Sequence, residues 1–174
     1  MQALRSNNIF LRALEPGDLN FLYEIENKLE TWEVSNTQTP FSKHILEKYI
    51  SAADQDIYSV KQLRLMICNL EGLSIGTIDL FDFDPQNKRA GVGIYLIEEA
   101  RSKGYASETI QLICDYAINT LGLRQVYCGI SPKNKKSIDL FEKCKFIKSG
   151  IKKDWRKSVN GNFEDEIFYQ FIKN

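Results

Sequence analysis

The chain has 174 residues, 43% hydrophobic and 26% charged, so we expect one globular domain, residues 1–174, with a sizeable core. Lys plus Arg and Asp plus Glu both number 23, and the zero net charge gives no general attraction for nucleic acid. The N-terminus lacks a long apolar stretch and no segment approaches the ~20 apolar residues of a spanning helix. We therefore expect a cytoplasmic protein with neither a membrane nor a nucleic-acid partner.

Four cysteines are present, and none belongs to a CxxC pair. Each lies in an apolar segment, where a free cysteine behaves as a small hydrophobic residue. The pattern predicts buried thiols rather than a disulfide framework or a zinc site, and no metal is expected. The cysteines are Cys68, Cys114, Cys128 and Cys144.

The first third of the chain predicts one strand and two helices. Residues 8–14 (NIFLRAL) read as a strand, which 15–18 (EPGD) ends. Apolar residues then recur at helical spacing from Asp18. A second helix is predicted from Ser42, its N-cap, to about Ala53, and the polar segment 31–41 between them reads as a loop.

The rest of the chain predicts six strands and two helices. The strands are 63–69, 74–83, 89–97, 125–130, about 146–155 and 163–172, and the helices are about 104–120 and 134–144. Glu71-Gly72 and Asn160-Gly161 each indicate a hairpin. The order β-α-α-β-β-β-α-β-α-β-β predicts an α/β fold around one central sheet.

Glycines break up two neighbouring strands. In 89–97, alternate positions from Ala90 suit the core, and Gly91 and Gly93 lie on the opposite face. In the next predicted strand, 125–130, Gly129 is another position without a side chain. Glycine within a strand often marks close approach of a ligand or another backbone.

The segment Arg101-x-x-Gly104-x-Ala106 lies between the predicted strand 89–97 and the long predicted helix that begins at about residue 104. Small residues let the chain turn tightly and expose successive main-chain amides, and the helix N-terminus adds partial positive charge. The segment therefore predicts an anion site that fits a pyrophosphate. The P-loop pattern is absent, and Gly91-Val-Gly93 lacks the third glycine of a dinucleotide fingerprint and lies within its strand.

At these residues the chain resembles the GNAT (GCN5-related N-acetyltransferase) superfamily. The family signature Q/R-x-x-G-x-G/A follows its fourth strand, and Arg101, Gly104 and Ala106 match it. A second family element, after the fifth strand, resembles 134–146 (NKKSIDLFEKCKF). Among branches, the chain looks like the spermidine and ribosomal-protein alanine N-acetyltransferases.

The resemblance implies a single mixed, mostly antiparallel sheet flanked by helices, with a V-shaped splay between strands four and five. It implies acetyl-coenzyme A as co-substrate, with pantetheine along the fourth strand, pyrophosphate on the following loop, and contacts from the second element. The residues so implied are Gly93, Ile94, Tyr95, Leu96, Arg101, Ser102, Lys103, Gly104, Tyr105, Ala106, Asn134 and Ser137. Asn134 also fits the N-cap of its short helix.

Two family positions differ here. Many relatives carry a tyrosine general acid where Phe141 stands, and the ribosomal-protein branch often carries a glutamate where Gly91 stands. A carboxylate elsewhere can then accept the proton from the attacking amine, directly or through water, and Tyr95 and Tyr127 are an alternative to a carboxylate. The candidates for this catalytic role are Glu33, Asp79 and Asp82.

The function expected from the resemblance is transfer of acetyl to a primary amine by direct attack in a ternary complex. Four acids lie on and after the first helix: Glu24, Glu26, Glu30 and Glu33. A solvated helix face is the more common explanation for such a set, but together with the branch resemblance they favour a small amine such as a polyamine. Alternatives are a protein N-terminal acetyltransferase and a non-catalytic coenzyme A-binding module. A Ser-His-Asp hydrolase is disfavoured, since the only histidine, His44, has no G-x-S-x-G partner. Exposed strand edges are compatible with a homodimer.

Overall fold

The computed structural model describes residues 4–35, 37–53, 55–158 and 161–173, without the side chains of Glu33 and Val34. Its centre is one seven-stranded sheet in the order β1-β2-β3-β4-β5-β7-β6. The strands are β1 Ile9–Arg12, β2 Leu63–Asn69, β3 Ser74–Asp84, β4 Arg89–Leu96, β5 Gln125–Ile130, β6 Ile147–Lys157 and β7 Phe163–Ile172. Every pair of neighbouring strands is antiparallel except β4 and β5. The predicted mixed, mostly antiparallel sheet is confirmed.

Six α-helices connect and cover these strands in the described part of the chain. They are α1 Leu19–Glu26, α2 Leu29–Ser35, α3 Lys43–Ser51, α4 Ile57–Val60, α5 Tyr105–Asn119 and α6 Lys135–Lys143. Ser42 caps α3 as predicted, its hydroxyl accepting the amide of Ile45. Within the described ranges, no helix is both long enough and apolar enough to span a bilayer.

Two short helices, α2 and α4, were not predicted. The loop predicted for 31–41 is helical as far as Ser35, because the indole of Trp32 donates to the carbonyl of Glu26 at 2.6 Å and fixes the chain against α1. Asp56 starts α4 by accepting the amides of Tyr58 and Ser59. Both helices are stabilised by a few polar contacts that leave no apolar periodicity in the sequence.

The two faces of the sheet bury separate cores. On one face, α5 and α6 pack over Ile78, Val92 and Val126. On the other, α1 and α3 pack over Met66 and Cys68, near the β1 end of the sheet. This second cluster contains no residue of β5, β6 or β7, so the part of the second face formed by those strands has no helix in its core layer.

The four cysteines are buried and unpaired, as predicted. The β6–β7 hairpin is also present, with Gly161 at φ +83°, and the predicted Asn160 lies outside the described residues. The described residues contain no grouping of three or more His, Cys, Asp or Glu side chains arranged to hold a metal ion.

Candidate active site

The parallel strands β4 and β5 separate soon after they meet. Their register contains three pairs, of which Gly91–Tyr127 is the last. Beyond it, residues 92–96 of β4 pair with β3 on one edge only. Alternate amides and carbonyls on the other edge are then free to bond an extended ligand. The predicted V-shaped splay is therefore present, and its opening lies beside Gly93–Leu96.

The N-terminus of α5 presents a run of free main-chain amides beside this opening. Gly104 is the N-cap at φ +86°, and Ser102 is left-handed at φ +61°. Among the described residues, no protein acceptor is bonded to the amides of 102–107. A Cβ added at position 104 would meet no atom within 4 Å apart from its chain neighbours, so the space at this position of the turn is open. Free amides at the positive end of a 15-residue helix form an anion site.

Arg101, the first residue of the matched signature, is turned away from those amides. Its Nε donates to the carbonyl of Leu96 at 3.0 Å, and its Nη2 donates to Glu30 at 2.9 Å. The hydroxyl of Tyr95 donates to the same Glu30 oxygen at 3.1 Å. The hydrogen bond from Arg101 lowers the pKa of Glu30 despite partial desolvation, and Tyr95 contributes. This contact ties α2 to the end of β4.

The second sequence element places Asn134 at the start of α6. Its Oδ1 accepts the amide of Ser137 at 3.1 Å, so the predicted N-cap role is confirmed. The Nδ2 group has no partner among the described residues and stays free to donate. Phe141, which replaces the family tyrosine, is buried, with its ring edge-on to Phe146 at a centroid distance of 4.9 Å.

A row of aromatic rings crosses the second face of the sheet at the splay. The rings of Phe81 and Tyr127 are 6.4 Å apart between centroids, and those of Tyr127 and Phe168 are 5.4 Å apart. Phe81 covers Gly91, its partner in the sheet. The glycine there makes room for this ring, which is a physical reason why the glutamate of the ribosomal-protein branch does not stand at position 91.

Asp79 lies on that face and is held by a buried ion cluster. Its two oxygens accept from Arg64 at 2.7 and 3.1 Å, and Arg64 also pairs with Glu26. Tyr49 stacks on the guanidinium, 5.5 Å from ring centroid to Cζ. Burial by itself lowers the pKa of Arg64, but the charges of Asp79 and Glu26 outweigh it and raise that pKa. The sequence reading missed Arg64, although a charge within the apolar strand LRLMICN was a visible signal.

The other two carboxylate candidates are Asp82, which is not part of this cluster, and Glu33. Asp82 is exposed at φ +49°, in an irregularity where the β3–β4 register shifts between Phe81 and Asp84. Burial raises the pKa of Tyr127, and the charge of Asp82 raises it further, so the two groups interact. The backbone of Glu33 belongs to α2, and its side chain lies outside the described part of the chain.

A further carboxylate, Glu166 on β7, lies on the splay and was not a sequence candidate. A Cβ added to Gly129 would overlap its carboxylate, with even Oε2 only 2.8 Å away. Lys152 of β6 pairs with Glu166 at 3.1 Å. The sequence indicated that Gly129 leaves a position without a side chain. The residue that fills this position, Glu166, is 37 positions later in the chain, so no local pattern indicates it.

Comparison with known proteins agrees with this architecture. The profile of a family described as acetyltransferase (GNAT) domain matches residues 8–147. A probable N-acetyltransferase of Bacillus subtilis, YjcK, is 35% identical over 168 residues, 93% of this chain and 92% of that protein. A spermidine N(1)-acetyltransferase of Vibrio cholerae is 25% identical over 160 residues, 92% of this chain and 90% of that protein. The structure of a Vibrio cholerae spermidine N-acetyltransferase in complex with CoA and spermine superposes with a TM-score of 0.86, at 24% identity, over 96% of each chain.

The seven-stranded mixed sheet of this chain therefore has the same fold as that enzyme. The chain belongs to the GNAT family and is an acetyltransferase.

Proposed function

We propose that this acetyltransferase transfers acetyl from acetyl-coenzyme A to a primary amine, with a polyamine-like small molecule as the favoured acceptor. The observation that supports the donor is the run of unbonded amides at 102–107, beside the free edge of β4. A pyrophosphate fits the first and an extended amide-bearing arm fits the second. The CoA bound in the Vibrio cholerae relative supports the same choice.

The cofactor residues proposed from the sequence divide by what they offer. Ser102, Lys103, Gly104, Tyr105 and Ala106 offer main-chain amides to the pyrophosphate. Gly93, Ile94 and Tyr95 offer the free edge of β4, and Asn134, next to Ser137, offers its side-chain amide. Leu96 and Arg101 bond to each other through carbonyl and guanidinium, so we propose that they act by holding the loop against β4.

When bound, acetyl-coenzyme A supplies an activated thioester, and the protein needs no nucleophile of its own. The protein must instead remove a proton from the acceptor, because an alkylamine with a pKa of about 10.4 costs roughly 4–5 kcal/mol to neutralise at pH 7. We propose a carboxylate for this step, drawn from Glu33, Asp79 and Asp82. Of the two candidates whose side chains are described, Asp82 is exposed and has no ion pair, whereas Asp79 is bound to Arg64.

The acceptor class is supported by the surface of α1 and α2 and by relatives. Glu24 and Glu30 are exposed on these helices, and Glu30 lies at the end of β4 through Tyr95. Relatives from Vibrio cholerae and Escherichia coli are named spermidine N(1)-acetyltransferases. A dodecameric form is known for the Vibrio cholerae protein, and for this chain we propose self-association of unspecified order.

The proposal is tested by measuring thiol release from acetyl-coenzyme A with a panel of spermidine, spermine, small monoamines and peptides with free N-termini. We expect amine-dependent release, strongest with the polyamines, and an exothermic coenzyme A titration. Release with peptides alone would instead identify an N-terminal acetyltransferase. Coenzyme A binding without release from any amine would identify a binding module, and neither binding nor release would refute the proposal.

A further inference from the structure

The second face of the sheet carries a carboxylate and two aromatic rings around a lysine ammonium. We propose that Glu166, Phe168 and Trp155 form a subsite for an ammonium group of the acceptor, and that Lys152 occupies it when no amine is bound. This inference rests on the proposed function and specifies where that function's substrate is held.

The geometry around Lys152 is that of a site for protonated amines. Its Nζ lies 3.1 Å from Oε1 of Glu166, 4.7 Å from the ring centroid of Trp155 and 5.1 Å from that of Phe168. An ammonium ion is attracted both to a carboxylate and to the faces of aromatic rings. Lysine ends in the same primary ammonium as the proposed acceptors, so its placement shows which functional group fits.

Local backbone features create this arrangement. Lys152 and Glu166 are partners in the β6–β7 ladder, and the register shifts between Lys152 and Arg156. Within that shift Asp154 has φ +48°, which interrupts the strand alternation and allows Trp155 to share a face with Lys152. An unbroken strand would place residues 152 and 155 on opposite faces.

The subsite adjoins the splay between β4 and β5, beside which the donor is proposed to bind. Gly129 belongs to the diverging part of β5, two residues beyond the last pair with β4. Because Gly129 has no side chain, the Glu166 carboxylate lies over β5 itself. Phe168 pairs with Gly129 and continues the aromatic row through Tyr127 towards β4. The subsite is therefore joined to the edge proposed to hold the donor.

Exchange of one ammonium for another is physically reasonable here. The side chain of Glu166 is 13% exposed, whereas that of Lys152 is 36% exposed and can move into water. A largely buried carboxylate that loses its cation is destabilised, and an incoming ammonium restores the pairing. Lys152 thus keeps the subsite charged and paired until an amine displaces it.

A neighbouring ion pair provides a matched control. Lys153 and Asp165 join the same two strands at 2.7 Å. Both are more exposed, at 75% and 29%, and no described aromatic ring lies over Lys153. The Lys153–Asp165 pair therefore has the charges of the proposed subsite without its rings or its place over Gly129.

The test is calorimetric titration of spermidine into the 174-residue chain saturated with coenzyme A. We expect Glu166→Gln to weaken spermidine binding at least about tenfold, as loss of a charge-assisted hydrogen bond does. Lys152→Met, which removes the competing ammonium, should strengthen binding about threefold or more. Gly129→Ala should weaken it by displacing the carboxylate. Lys153→Met removes the control ion pair but keeps the hydrogen bond from the amide of Asp154 to Asp165, and it should leave spermidine binding unchanged.

Glu166→Gln and Lys152→Met should change spermidine affinity in opposite directions if the pair is a subsite. If the pair were only structural, both substitutions would change the affinity in the same direction. Equal weakening by Glu166→Gln and Lys152→Met, or no change in either, would overturn the inference, as would a wild-type protein that binds no spermidine. If Glu166→Gln does not fold, the opposite shifts of Gly129→Ala and Lys152→Met decide. Wild-type thiol release measured in parallel shows whether the subsite alone has failed or the proposed function with it.

Discussion

The ring of Phe81 lies against the backbone of Gly91, its partner across β3 and β4, so closely that a methyl group on Gly91 would overlap the ring. Even the third-nearest ring atom would be 2.7 Å from that methyl. The same ring is 3.7 Å from the corresponding position of Gly93, an ordinary van der Waals distance. The two glycines on this strand face therefore differ, since a Cβ at position 91 would overlap the Phe81 ring and a Cβ at position 93 would only contact it.

From this difference we expect Gly91→Ala to destabilise the protein by about 1–3 kcal/mol, the usual effect of overpacking, while Gly93→Ala changes stability little. The measurement is urea unfolding of the two variants beside the wild type. Equal stability of Gly91→Ala and Gly93→Ala would show that Phe81 moves away without resistance. The aromatic row to Tyr127 would then be a loose contact.

The phosphate loop predicts a selective effect at Gly104. Valine there, at φ +86°, is strained and also places methyl groups in front of the free amides. Gly122, at φ +68° beyond the end of α5, suffers similar strain when changed to valine and has equally open surroundings. We expect Gly104→Val and Gly122→Val to lower the melting temperature alike, but only Gly104→Val to weaken coenzyme A binding, by about tenfold or more.

Calorimetric titration with coenzyme A checks this pair of variants. Similar affinities in both would place the pyrophosphate away from 102–107 and contradict the proposed donor site. Gly104→Val on its own would combine two effects, backbone strain and crowding of the ligand. Gly122→Val introduces only the backbone strain, so comparing the two variants separates the effects.

The pH dependence of stability should contain a contribution from Asp18. Burial raises the pKa of this carboxyl, but the hydrogen bonds from Arg12 and from the amide of Glu15 outweigh it, and the folded-state pKa lies below the ordinary value. A lowered carboxyl pKa adds stability that is complete above about pH 4 and is lost as pH falls through the folded-state value. Acid should therefore remove this contribution.

Asp18→Asn isolates it. We expect the variant to be less stable than the wild type by about 1–3 kcal/mol at pH 7, because Arg12 loses its charged partner. That gap should stay constant from pH 6 down to about pH 4 and narrow at lower pH, as the Asp18 carboxylate of the wild type becomes protonated. Urea unfolding at several pH values measures the gap, and a gap that stays constant down to about pH 2.5 would contradict the assignment.

The cysteines give a prediction about reactivity. Burial raises the pKa of Cys114 and of Cys144, and burial together with the charge of Glu166 raises that of Cys128 to about 12. Since the thiolate is the reactive form, native thiols should react slowly with an aromatic disulfide reagent at pH 8. We expect four equivalents of thiol in denaturant and almost none within minutes in buffer. One fast equivalent in the native protein would reveal local opening around that cysteine.

The sequence predicted the parts of the structure whose causes are local. Apolar periodicity predicts the strands 63–69 and 125–130 and the long helix α5. Asn134, as an N-cap residue, indicates where α6 begins. The helix α2 and the Lys152–Glu166 pair could not be predicted in this way. They depend on contacts that no hydrophobic pattern indicates. For α2 the contact is the hydrogen bond from the Trp32 indole to the carbonyl of Glu26, and for the ion pair it is the ladder that joins β6 to β7.

The carboxylate candidates show the same limit and supply a last prediction. In the sequence, Asp79 and Asp82 were equivalent candidates, three positions apart on one strand. In the structure, Asp79 is bound to the buried Arg64, whereas Asp82 is exposed in the irregular part of β3. Asp79→Asn should therefore cost about 3–5 kcal/mol of stability, as breaking a buried pair does, and Asp82→Asn less than about 0.5 kcal/mol.

Because Asp82→Asn leaves the fold intact, its turnover can be interpreted directly. If Asp82 accepts the proton, kcat for the polyamine should fall at least about 100-fold near neutral pH and recover partly at high pH, where the amine is already neutral. Thiol release measured from pH 6 to 10 gives both values. A variant with wild-type kcat across that range would exclude Asp82 and leave proton removal to Glu33 or Asp79. Asp79→Asn would then have to be assayed at a temperature where it is still folded.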